Sequence, residues 1–127
     1  QRLAEQFKQS RSPRYPLLLA EVFFALGKFD HAELLLHEAL SAGDVTDYLP
    51  RDVRSHFPSA DVYQKRLDEL LKGDRNLLTR AYFLVHSAKP ERGIDLLHTM
   101  VINDPEDDAA SILYRYYLGE AFREETE

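Results

Sequence analysis

Residues 15–43, YPLLLAEVFFALGKFDHAELLLHEALSAG, read as two amphipathic helices folded back on each other at Gly27, and no other stretch limits the fold as strongly. Leu19, Val22, Phe23 and Leu26 follow an i, i+3, i+4, i+7 spacing, and Ala32, Leu35, Leu36, Ala39 and Leu40 repeat it with one further position. Each helix is therefore expected to bury one apolar face. Asp30 is expected to cap the second helix with Glu33 three residues on, and Gly43 to stop it in a left-handed conformation. The unit recurs 61 residues later, where Ala81, Lys89, Leu96, Leu97 and His98 stand as Ala20, Lys28, Leu35, Leu36 and His37 stood. A protein of repeated helical hairpins follows.

The remaining segments support an all-α reading. Residues 1–10 can form a short helix through Leu3, Ala4 and Phe7, the tail of a preceding element, and residues 10–13 break it. The chain begins at Gln1 rather than methionine, so it reads as a piece of a longer protein, one helical domain over residues 1–127. Between 44 and 60 the period stops. Pro50 and Pro58 punctuate an irregular loop with one helical turn around 51–55, and Val45, Tyr48, Leu49, Val53 and Phe57 are expected to pack over the helix ends. A helix starting at Asp61, with Gln64 as its capping partner, carries Tyr63, Leu67, Leu70 and Leu71 as its stripe and ends at Gly73. Asp74 caps the next, with Leu77, Ala81, Leu84 and Ala88 on its buried side. Pro90 opens another, and Asp107 or Asp108 starts a last helix to about Arg123. No segment alternates like a strand.

Composition excludes several function classes. Acidic residues number 22 against 16 basic, interspersed, for a net charge of −6, and no basic run would track a phosphate backbone. No apolar run approaches the roughly 20 residues of a spanning helix. The chain has no cysteine, so neither disulfides nor thiolate chemistry are available. There is no phosphate-binding glycine loop and no nucleophile elbow. The five histidines form no H-x3-H pair, and the acidic residues 104–108 read as a helix cap rather than a calcium loop. A soluble, acidic, non-enzymatic domain without metal or cofactor is expected.

The two hairpins resemble the tetratricopeptide repeat, whose pattern W-x2-L-G-x2-Y, A-x3-F, P spans 34 residues. In residues 13–46 those positions hold Pro16, Leu19, Ala20, Phe23, Ala32, Leu36 and Asp44; in 74–107 they hold Leu77, Arg80, Ala81, Leu84, Gly93, Leu97 and Pro105. The small residues at Ala20/Ala81 and Ala32/Gly93 carry the likeness, because they let two helices approach closely. Residues 47–73 lie between the units, and the first position lacks its aromatic side chain in both. The resemblance implies a short right-handed solenoid of six or seven helices that binds a protein or peptide in a concave groove. By position, Arg14, Leu17, Glu21, Phe24, Arg75, Leu78, Tyr82, Val85 and His86 would line that groove. Leu17, Glu21 and Tyr82 stand where the family's carboxylate clamp has Lys, Arg and Asn, so the expected ligand is an apolar or aromatic segment, with a basic residue facing Glu21, rather than an acidic C-terminal peptide. Tyr114, Tyr116 and Tyr117 cannot all share one core face, and they form a second candidate interface. The alternative is a structural spacer or self-association element of a larger solenoid, with no ligand of its own.

Overall fold

The computed structural model describes residues 14–41, 45–49 and 53–126. The helix expected over 1–10 and the stop expected at Gly43 lie outside them. Among the described residues there are six α-helices and no strand: α1 (Arg14–Ala25), α2 (Phe29–Leu40), α3 (Ala60–Leu71), α4 (Leu77–Val85), α5 (Pro90–Asn103) and α6 (Asp108–Thr126). Two short 3-10 turns, Val45–Asp47 and Val53–His56, lie between α2 and α3. The chain is all-α.

Both hairpins form. α1 pairs with α2 and α4 with α5, and α6 then packs on α5. Gly27 makes the first turn at φ +77°, a conformation that costs a side-chain-bearing residue about 1–2 kcal/mol. The second crossing depends on a missing side chain. A Cβ on Gly93 would sit 2.5 Å from Val85 Cγ2, 2.6 Å from Val85 N and 2.7 Å from Ala81 O, so α4 and α5 meet backbone to backbone. Its counterpart in the first hairpin, Ala32, fits with no exposed surface.

Helix α3 lies across α1 and α4 and joins the two hairpins. Its seam of Tyr63, Leu67 and Leu70 is buried as the spacing predicts. Around it an aromatic cluster closes. Phe24 of α1 stacks on Phe83 of α4 at 3.8 Å between ring centres, and Tyr63 lies 5.5 Å from Phe24 and 4.9 Å from Phe57. The Tyr63 hydroxyl donates to the Phe83 carbonyl at 2.6 Å. Burial, followed by the neighbouring Tyr82, pushes the Tyr63 phenol well above its usual value. The 44–60 segment contributes Val45, Leu49 and Val53 to the core, with Tyr48 and Phe57 half-buried beside it.

Three caps differ from the sequence reading. α2 begins two residues early, at Phe29 after Lys28, with no side-chain cap, and Asp30 is drawn away to α4: it accepts from Asn76 Nδ2 at 3.0 Å. Glu33 likewise accepts from the Thr79 backbone N–H at 2.8 Å and from its hydroxyl at 2.6 Å. These carboxylates serve the first turn of the next hairpin instead of their own helix. α3 is capped by Ser59, which accepts from the Val62 N–H, and Gln64 pairs with Asp68 one turn on. α4 starts at Leu77 after a left-handed Asn76 rather than at Asp74. Pro90 and Asp107 stand where expected, Asp107 accepting from the Ala110 N–H.

Candidate functional site

The residues assigned to a groove turn inward. Leu17, Phe24, Leu78 and Tyr82 have no exposed surface, and Glu21 retains 5%. They do not line an open surface, because α3 and Phe57 occupy the space between α1 and α4 and convert it into core. Val85 is half-buried against Gly93, and His86 accepts or donates at 2.9 Å to the Tyr117 hydroxyl. Arg14 and Arg75 remain at the surface, Arg75 reaching Asp30 at 3.4 Å. Of the three tyrosines, Tyr117 is buried against His86, while Tyr114 and Tyr116 are half-buried, Tyr114 beside His98.

The counterpart of this burial is a reversal of α1. Leu19, Val22 and Leu26, the expected core stripe, are 44%, 50% and 60% exposed, and Tyr15 joins them at 57%. At 100° per residue, the open half of the helix holds Tyr15, Leu18, Leu19, Val22, Phe23, Ala25 and Leu26, with Arg14 as its sole charge. The other half, Pro16, Leu17, Ala20, Glu21 and Phe24, is core. α1 is thus apolar around most of its circumference and covered on one side. The signal was present in the sequence: residues 15–26 contain one ionisable side chain apart from the terminal tyrosine, far too few for a helix with a solvated face.

That one ionisable group, Glu21, is held by the 53–56 turn, whose His56 places Nδ1 against Glu21 Oε1. Beside the pair, a depression of about 300 Å³ opens between α1 and the turn, lined mainly by Leu18, Val22, Ala25, Phe57 and Pro58. It runs directly into the exposed stripe. A larger depression of about 480 Å³ lies at the Gly27 turn, where Lys28, Asp30, Glu69 and Arg75 stand around it. Among the described residues, no group of three or more metal-ligating side chains comes together, and no helix is long and apolar enough to cross a membrane.

Among the described residues the geometry offers an apolar helix face a little over three turns long with a pocket along one edge. Comparison with family models, with curated proteins and with solved structures finds no match to this chain.

Proposed function

We propose that this domain is a protein-binding module of tetratricopeptide-like hairpins, and that it engages its partner through the outer face of α1 rather than through the filled space between α1 and α4. One observation carries the reading: four large apolar side chains along one face of α1 and the turn after it, Tyr15, Leu19, Val22 and Leu26, each at least 44% exposed. Together they leave on the order of 400 Å² open, a size at which a patch on a monomer commonly marks an interaction site. A helix apolar all round belongs inside something. The small residues at both hairpin crossings, Ala20, Ala32, Ala81 and Gly93, support the kinship with the repeat.

The test is a selection of helical peptides from a display library on the wild-type domain, counter-selected on Leu19→Glu/Leu26→Glu. Enrichment of peptides that bind the first and not the second is expected. Peptides that bind both equally would place the interaction elsewhere, and no enrichment at all would remove the binding role.

A second reading is favoured by how α4 is covered. Helix α2 supplies Asp30 and Glu33 to the first turn of α4, one hairpin capping the next. In a longer array, a preceding hairpin would cover α1 in the same way, and the domain would be a structural unit. Joining a second copy of the domain ahead of Gln1 would then protect Leu19 and Val22 of the downstream copy without any added ligand.

A further inference from the structure

We infer that the Asp104–Pro105 peptide bond is a self-cleaving site: in mild acid the Asp104 carboxylate displaces the Pro105 nitrogen, and the turn joining α5 to α6 promotes the step. None of the residues involved belongs to α1, so the inference stands apart from the binding reading.

The bond is chemically singular. Of the six prolines in the chain, Pro105 is the one preceded by aspartate. A proline nitrogen carries no hydrogen and leaves as a basic secondary amine, so its amide is easier to protonate and break than an ordinary one. The aspartate before it holds a nucleophile within reach of its own carbonyl carbon. An attack that closes a small ring has the large advantage of an intramolecular reaction.

The structure prepares the carbonyl. Asp104 caps the end of α5 at φ −144° and ψ 82°. Residues 104–107 then turn, with the Asp107 N–H donating to the Asp104 carbonyl at 3.0 Å. Asp stands at the first position of this turn and Pro at the second, where each is favoured. The oxygen that accepts this bond belongs to the carbonyl under attack, so a donor already lies where negative charge develops. The Asp104 carboxylate is exposed and, among the described residues, makes no ion pair or hydrogen bond, which leaves it free to turn on its own carbonyl. Pro105 is exposed as well, so acid and water reach the bond.

The step balances with water alone. A carboxylate oxygen of Asp104 bonds to the carbonyl carbon of the same residue and closes a cyclic anhydride. The bond to Pro105 breaks, its electron pair stays on nitrogen, and the nitrogen takes a proton from the acid. One water opens the anhydride and leaves Asp104 with two free carboxyl groups. The titratable groups around the bond come from the turn and from α6, namely Glu106, Asp107 and Asp108, and α5 has no basic side chain in its last turn. At neutral pH these carboxylates oppose further negative charge on the carbonyl oxygen. Mild acid removes part of that opposition and supplies the proton that the nitrogen needs. Scission cuts the covalent tether of α6, which is otherwise held by Ala109, Ala110, Leu113 and Tyr117, the last against His86 of α4.

The test is the intact mass of the purified domain, held at the lowest pH where dichroism still reports full helix. Masses matching 1–104 and 105–127 are expected, with no other cut. At the same pH in urea, where the turn is lost, cleavage should be at least about tenfold slower. Asp104→Glu, whose attack must close a larger ring, should also lose at least about tenfold. Pro105→Ala should abolish scission; both positions are exposed, and dichroism will report that the variants keep their helices. Cleavage as fast in urea as in the native domain would remove the part played by the turn. An intact native chain beside a cut one in urea would mean that the fold protects the bond. Unchanged cleavage in Asp104→Glu would assign the cut to a contaminating protease. Each of these three results would overturn the inference.

Discussion

α1 and α4 occupy equivalent places in their hairpins, 61 residues apart, and end in opposite surroundings. In α4, Leu78, Thr79, Ala81, Tyr82, Phe83 and Leu84 are all buried. In α1 the positions matching Asn76, Arg80 and Phe83 are Tyr15, Leu19 and Val22, and each is open. The difference is in the neighbours. α4 is packed by α2, α3, α5 and α6, whereas α1 has α2 and α3 as its main helical neighbours, with the 53–58 segment alongside. Two helices of similar apolar content can thus have different roles, and what separates them is the number of elements that reach each one. α1 has the composition of a central helix and the exposure of an edge one.

The comparison can be broken most decisively at Phe83 and Val22, which are equivalent in the repeat. Phe83→Ala removes a fully buried ring stacked on Phe24 and should cost about 3–5 kcal/mol. Val22→Ala should stay within about 0.5 kcal/mol in urea denaturation, as befits an exposed position. Similar costs at the two sites would mean that α1 is covered in the isolated domain.

A smaller effect separates the two crossings. Gly93→Ala pushes a methyl into the Val85 and Ala81 backbone and should destabilise by about 1–3 kcal/mol, while Ala32→Gly, at the matching position, should cost about 1 kcal/mol through backbone entropy. A neutral Gly93→Ala would show that the hairpins can spread, and would weaken the argument from small residues.

The smallest and most specific effect is at Tyr63, which serves both helices at once. Tyr63→Phe loses the bond to the Phe83 carbonyl, about 1 kcal/mol at neutral pH. Its raised phenol also ties stability to alkaline pH. The folded state holds this proton more tightly than the unfolded chain, whose tyrosines titrate near 10.0, so stability is intact below that pH and declines as pH rises above it. Phenolate absorbance should show the exposed tyrosines ionising first and Tyr63 only on unfolding; titration of all seven tyrosines together, before any loss of helix, would contradict its burial.

Much of the fold was legible from spacing. The α2 and α3 stripes, the turn at Gly27 and the start at Pro90 stand where the residues put them, because each rests on local chemistry or on a helix with one polar side. The 44–60 loop packs through the side chains singled out for it. α1 was not readable in the same way. When apolar residues occupy nearly every position, both Leu19–Val22–Leu26 and Leu17–Glu21–Phe24 satisfy a helical period, and choosing between them requires knowing where α3 lies. The caps failed for a related reason: Asp30 and Glu33 were given local roles, and tertiary partners in α4 outcompeted them. The candidate groove was lost with the placement of α3, which no short-range pattern announces.

The position of α3 also has a mechanical meaning. Hairpins stacked only on their neighbours form a spring, which bends by small rotations at each junction. Here a strut is laid across the junction, pinned by Tyr63 to the Phe83 carbonyl and wedged against Phe24. Rotating one hairpin against the other would have to break that bond and open the aromatic cluster. A pulling force applied to the two hairpins should therefore meet a stiff joint that yields in a single step.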